Sequence, residues 1–514
     1  MMKQKNTTKQ YINNVISSWV HTVIAAFVSA INISLNLRYL GKDLYGVSVL
    51  VVSFLSLFQF LSFGMGPTLL RFFSQSVASG DLNRIRKLFS TTSFMMGMLG
   101  LVGAMLFLCG YPYFISLYDI SHDVKFDLFV LFLATAFNFF VGFYLLPFNS
   151  SVCAYQKFSW INYYKCFAGI LRLVLLWAGY NLFRPSLVIM GIAILTESLV
   201  RLVSEYLMAY ILYGRLVFFK LRFISLGLIP NIFSFGFLAF MNVAAFGLSL
   251  QIPVLIIGNT LGTAAVAAFS PAVVVSNYVS VLLGSISGPL TPLASKKAKE
   301  GKNNEISFWA VHSSSLLFYI SLFFLIVFIL FGQNILAIWL DDSFAWIYLI
   351  CAIMVAGVAL AATQQVNYTL ALGYATIAPS AYSSLVMCIL AISGVFVGTR
   401  YLTWSLLEVA VYLMILRVLR NVCYMAYAYS KVIGYRYREY VFYVYLKPLF
   451  LGSILIVPLL LVDWRPMIGK NIALLVLCVS LLLVPYCFLV WHIGLNRNFK
   501  IFLKEKFHSV LSRG

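Results

Sequence analysis

The chain has 514 residues, of which 62% are hydrophobic and only 10% charged, and its formal charge is +21. That composition lies far outside the range of soluble globular domains. It leaves almost no sequence for a soluble catalytic domain, and the placement of the positive charge makes a nucleic-acid partner unnecessary.

A hydrocarbon core about 30 Å thick needs roughly 20 apolar residues per helix. Fourteen runs meet that need: 11–35, 46–66, 91–116, 127–148, 161–180, 186–212, 229–257, 263–287, 307–331, 343–371, 379–398, 403–428, 447–463 and 471–492. The expected fold class is therefore an all-α polytopic membrane protein. The opening MMKQKNTTKQ is a polar basic tail without the n-region, short apolar core and cleavage site of a signal peptide, so an uncleaved first helix is expected.

In chain order, span 1 carries His21 and Asn32, and a glycine-containing turn, Arg38 to Gly46, leads to span 2 with Gln59. The segment 67–90 is basic, and GDLNRIRKLF within it reads as a short interfacial helix. Span 5 holds Lys165 and Arg172, which are seven residues apart and so on one face. Span 6 holds Glu197 and Arg201 in the order that favours an i,i+4 pair. Span 7 contains Asn242, Gln251 and Pro253, and span 8 contains Pro271 and Asn277. Each proline removes a helix hydrogen bond, so a kink is expected, and at Pro253 it could be a gate or a static bend. Gln364-Gln365-Val366-Asn367-Tyr368 makes span 10 polar enough that this face should look into protein or water. Span 12 carries Glu408, Arg417 and Arg420.

With both termini cytoplasmic, the cytoplasmic segments hold 24 of the 36 Lys and Arg, the opposite side 7 and the spans 5. This follows the positive-inside rule, and the basic loops suit anionic headgroups. The eight cysteines are scattered without a CxxC pair, so neither a disulfide framework nor a metal site is expected. No Walker lysine motif is present, and no ATP hydrolysis or other cofactor chemistry is expected.

Three landmarks recur. Leu40-Gly41 matches Leu261-Gly262, Gly66-Pro67 matches Gly288-Pro289, and Gly80 matches Gly301, at offsets of 221, 222 and 221 residues. An even number of six spans per repeat gives two parallel halves related by an axis along the membrane normal. The expected organisation is an N-terminal six-helix lobe over 1–222, a C-terminal lobe over 223–435, and an appended pair with a basic tail over 436–514.

Arg38-Tyr39-Leu40-Gly41-Lys42-Asp43-Leu44-Tyr45-Gly46 resembles the R-x-L-G-x-x-x-Y-G signature of the polysaccharide-biosynthesis exporters. These include the O-antigen flippases of the multidrug/oligosaccharidyl-lipid/polysaccharide superfamily. Gly66-Pro67, Arg71 and GDLNRIRK fit the same layout, and LGTAAVAAFSPA (261–272) looks like the repeat-two counterpart. The resemblance implies a V-shaped core of two six-helix bundles, alternating access and a lipid-linked sugar as cargo. It also implies extra helices that shelter the lipid tail. In structural terms Gly41 and Gly46 relax a tight turn while Tyr45 anchors at the interface.

Ionisable groups inside spans are costly and mark functional sites. Lys165, Arg172, Arg201, Arg417 and Arg420 are the candidate cations for a lipid diphosphate, because guanidinium groups bind phosphate through paired hydrogen bonds. The alternatives are that Glu197 neutralises Arg201 and that Arg417 and Arg420 snorkel to headgroups. In the superfamily helices 1, 2, 7 and 8 line much of the cavity. Here they offer His21 and amides such as Asn242, Gln251 and Asn277, as sugar contacts or as interhelical bonds. Glu197, Glu408, His21 and Pro253 are the candidates for coupling and gating, with H+ or Na+ as the coupling ion.

The expected function is a flippase that moves an undecaprenyl-diphosphate oligosaccharide, such as an O-antigen unit, across a bacterial cytoplasmic membrane for surface polysaccharide or lipopolysaccharide synthesis. Its expected partners are the lipid-linked cargo, membrane lipids and a polysaccharide polymerase. The alternative on the same scaffold is a cation-coupled multidrug exporter. A membrane glycan enzyme is disfavoured, because no loop on the outer side exceeds about a dozen residues.

Overall fold

The computed structural model describes residues 2–62, 64–118, 120–225, 227–230, 237–287, 303–372 and 378–501. Among these there is no strand. Lipid offers backbone groups no hydrogen bonds, and helices satisfy them internally. The landmarks Gly288-Pro289 and Gly301 lie outside the described residues.

The chain divides into two compact units, Met1–Ala267 and Ala268–Gly514. The first contains α1 (Met2–Ser56), α2 (Met65–Ser79), α3 (Leu82–Cys109), α4 (Tyr111–Leu117), α5 (Lys125–Tyr144), α6 (Leu146–Ala154), α7 (Phe158–Leu182), α8 (Leu187–Tyr213) and α9 (Phe237–Thr260). Helix α10 (Thr263–Ser287) begins in this unit and continues into the second. There follow α11 (Asn303–Trp339), α12 (Tyr348–Leu372), α13 (Ala378–Tyr401) and α14 (Leu406–Val418), with a π-helical segment (Leu419–Met425) running into α15 (Ala426–Ile433). The last elements are α16 (Tyr437–Val441), α17 (Lys447–Leu459), α18 (Trp464–Ile468) and α19 (Ile472–Leu489).

Twelve helical stretches among the described residues are long and apolar enough to cross a membrane, against the fourteen expected from sequence. One of the twelve, Ile16–Ser62, contains two expected spans, separated at Gly41 by a left-handed backbone (φ 76°). Another expected span, 403–428, is divided among α14, the π-segment and α15. The protein is a multi-pass membrane protein.

Two local expectations change. Residues 67–79, read as loop, belong to α2, and GDLNRIRK is no separate interfacial helix. Asp81 caps α3 by accepting from the Arg84 amide at 2.9 Å, so these residues form the first turns of a 28-residue helix. In the first unit, Phe73, Phe89, Phe148 and Tyr213 pack around α2, α3, α6 and α8. In the second, α17, α18 and α19 bury Ile468, Leu482 and Tyr486 against Leu322, Ile326 and Phe331 of α11. The Tyr486 hydroxyl donates to the Tyr319 carbonyl at 2.6 Å.

Candidate functional site in the first unit

A polar seam runs along α1 and α7. Asn162 donates to Ser17 and Ser18, both at 3.0 Å, and the Ser159 hydroxyl donates to Asn14 at 2.8 Å. Towards the other end Tyr180 donates to Asn36 at 2.6 Å, Asn36 donates to Asn32 at 3.0 Å, and Tyr39 donates to Asn181 at 3.0 Å. Asn32 thus bonds within its own helix as part of this seam. His21 is half-buried on the same helix.

The charged residues of α7 and α8 face away from lipid. On α7, Tyr163, Phe167, Ile170, Val174 and Trp177 form an exposed apolar stripe, and at 100° per residue Lys165 and Arg172 lie on the opposite side. On α8, Leu199, Val203, Leu207 and Ile211 are exposed, and Glu197, Arg201 and Glu205 stack on the other face.

Arg172 pairs with Glu197 across the two helices at 3.0 Å. The expected neutralisation of Arg201 by Glu197 is therefore corrected: Arg201 Nε donates to Glu205 Oε1 at 3.1 Å. The same oxygen accepts from the Tyr164 hydroxyl and, at 3.3 Å, from the Asn149 amide. Three donors converging from α6, α7 and α8 outweigh the equal i,i+4 spacing of Glu197. Glu205 is 1% exposed, and its second oxygen accepts no hydrogen bond. Sequence reasoning missed Glu205, Tyr164 and Asn149. The only signal was that Glu205, like Glu197, stands four residues from Arg201. Lys165 is exposed and, among the described residues, forms no ion pair.

The signature segment is also placed. Arg38 is exposed, Tyr45 and Gly46 are buried, and Gly46 packs on the Thr263 carbonyl. The Thr263 hydroxyl donates to Asp43 at 3.1 Å, so the segment meets the start of the stretch 261–272. Asn242 and Gln251 are half-buried on α9, and that helix continues through a buried Pro253.

The second unit arranges its candidates differently. Asn277 is exposed on α10. Arg417 does not snorkel: it is 4% exposed and donates to the Met354 carbonyl at 3.3 Å, lying across Gly357 of α12. Arg420 donates to Ser384 at 2.8 Å and to Asn421 at 3.0 Å. Glu408 is exposed at the start of α14, where it closes a capping box with Ser405. Gln364 and Asn367 are buried in protein, as expected, hydrogen-bonded to Tyr435, Tyr440 and Tyr445, whereas Gln365 is exposed.

No family model matches the chain, and no curated protein matches it by sequence. Among solved structures it is similar to the lipid II flippase MurJ in an inward closed conformation. The TM-score is 0.68 at 12% identity, over 93% of this chain and 99% of that one. It is also similar to a multidrug resistance MATE family transporter of the MOP superfamily in an inward-facing conformation. That TM-score is 0.67 at 12% identity, over 79% of this chain and 94% of the other. The chain has the fold of the MOP-superfamily transporters. At these identities the likeness is one of fold, and it covers the outward-facing MATE conformation too, with a TM-score of 0.57 at 13% identity over 83% of this chain and 96% of that one.

Proposed function

We propose that this protein is a transporter that flips an undecaprenyl-diphosphate oligosaccharide from the cytoplasmic to the outer leaflet of a bacterial cytoplasmic membrane. The observation that carries the reading is the segregation of charge on α7 and α8, where three cations and two carboxylates stand opposite the lipid-facing stripes. A polar sugar cannot cross hydrocarbon without a face that replaces its water, and an anionic diphosphate needs that face to carry net positive charge. The MurJ match adds support. Its 93% cover leaves out about 36 residues, fewer than the 79 that follow residue 435, so it reaches into the appended helices. The purified protein in liposomes should translocate a labelled undecaprenyl-diphosphate oligosaccharide. Absence of translocation by folded protein would overturn the reading.

One observation favours the rival drug exporter. Glu205 is a buried carboxylate with a free acceptor oxygen, the kind of group a coupling cation or a cationic drug requires. Deletion in the host separates the two readings. Loss of surface polysaccharide supports the flippase, whereas hypersensitivity to cationic dyes with normal polysaccharide supports the exporter.

A further inference from the structure

The second unit carries a groove of about 310 Å³ between α13 and the junction of α14 with its π-segment. Its walls include Val386 and Leu390 on one side and Leu416 and Leu419 on the other, with Tyr424 at one end and Arg420 also lining it. Val386, Leu390, Leu419 and Tyr424 are all exposed, so the groove opens on an apolar, lipid-facing surface. Arg420 is the charged residue among its lining side chains.

The guanidinium is incompletely matched. Its Nη groups reach the neutral acceptors Ser384 and Asn421, while Nε is buried without a partner. No carboxylate pairs with Arg420, or with Arg417 one turn earlier, among the described residues. Two cations on one stretch of helix in low dielectric are costly unless an anion approaches. The π-helical turn falls at this residue, and such insertions re-aim side chains and recur at functional sites.

We propose that this groove holds an anionic glycerophospholipid, with its phosphate on Arg420 and an acyl chain along the aliphatic walls. A volume of 310 Å³ is at the lower end of ligand pockets, roughly 300–1,000 Å³, and a lining whose only hydroxyls are those of Tyr382, Ser383 and Tyr424 would leave most of an oligosaccharide's hydroxyls unpaired. With cytoplasmic termini, Arg420 lies in the cytoplasmic half of its helix, where anionic headgroups give a negative surface potential. The site is separate from the α7–α8 charges and does not depend on the identity of the cargo.

The test is native mass spectrometry of the full chain released from detergent with equimolar phosphatidylglycerol and phosphatidylcholine. Wild type should retain phosphatidylglycerol preferentially. Arg420→Gln should lose about tenfold of that preference, equivalent to ~1.4 kcal/mol. Leu419→Trp, which fills the groove from an exposed residue, should reduce phosphatidylglycerol retention with Arg420 intact, and it decides the matter if Arg420→Gln does not fold. Equal retention of the two lipids by wild type, or unchanged phosphatidylglycerol retention in Leu419→Trp, would overturn the proposal. So would displacement of phosphatidylglycerol by sub-stoichiometric undecaprenyl phosphate, which would put the groove on the cargo path instead. Because the readout is retained lipid and not movement of cargo, its failure leaves the transport reading untouched.

Discussion

Gly46 stands so close to Thr263 that a β-carbon on it would lie 2.0 Å from the Thr263 carbonyl oxygen. The neighbour is backbone and cannot swing aside, so Gly46→Ala must push α1 and the start of α10 apart. Overpacking of this kind costs roughly 1–3 kcal/mol. The variant should show a lower Tm in detergent than wild type and reduced transport. An unchanged Tm would mean that the contact is not made in the dominant conformation.

Gly41 and Gly262 behave differently. Both have left-handed backbone, φ 76° and 90°, with open space where a side chain would go. Only backbone strain opposes substitution, at about 1–3 kcal/mol for a non-glycine residue held there. Alanine at either should destabilise, and at Gly41, whose ψ of 178° lies outside the αL region that asparagine tolerates, asparagine should do no better than alanine. If alanine at Gly41 unfolds at the same denaturant concentration as the wild-type glycine, the strain argument fails.

The Arg172–Glu197 pair offers a cleaner functional test. Its side chains are 24% and 35% exposed and Arg172 Nε is buried without a partner, so glutamine at this position would leave only a part-exposed carboxylate unpaired. Arg172→Gln should therefore accumulate and fold normally. If Arg172 meets the diphosphate, transport should fall by about tenfold or more, the loss of one charge-assisted hydrogen bond. Full transport at equal protein level removes Arg172 from the mechanism.

These cases show what could be read ahead of the structure. Runs of about 20 apolar residues admit only helices in lipid, so the helical class was legible. The glycines Gly41 and Gly262 were visible as sequence, and both take a positive φ. Pairing was not legible, because Arg201 has an acid four residues away on each side and the choice depends on Tyr164 and Asn149 from other helices. Helix α2 was missed because its 15 residues are too short and too mixed in polarity to register as a span.

Cys153 reports on how dry the Glu205 surroundings are. It lies between the helices of two spans, its thiol 3.8 Å from Asn149. Burial pushes the thiol up to about 11, with Lys165 opposing and Glu205 adding to the rise. A raised value keeps the thiol neutral through the physiological range, and its thiolate fraction grows tenfold per pH unit until about pH 11. In a single-cysteine variant, iodoacetamide should label Cys153 about three-hundredfold more slowly at pH 7.5 than a free thiol, whose pKa is about 8.5. A labelling rate that levels off near pH 9 would show that water reaches the site.

Glu205 is the residue whose loss should damage the fold most. Its Oε1 accepts from Arg201, Tyr164 and Asn149. Glu205→Gln would leave the Arg201 guanidinium without its counter-charge, and breaking a buried pair from one side costs roughly 3–5 kcal/mol. Removing both charges in Arg201→Gln/Glu205→Gln should be milder than Glu205→Gln alone, because no orphan charge remains. Tyr164→Phe should cost less again, about 1–3 kcal/mol, since it removes one hydrogen bond to a charged group. Denaturation midpoints of Glu205→Gln, Arg201→Gln and the double variant form the double-mutant cycle. If the two single charge changes simply add in the double variant, the two residues are not coupled. Glu205 would then be available to bind a coupling cation, with Arg201 free to meet the cargo.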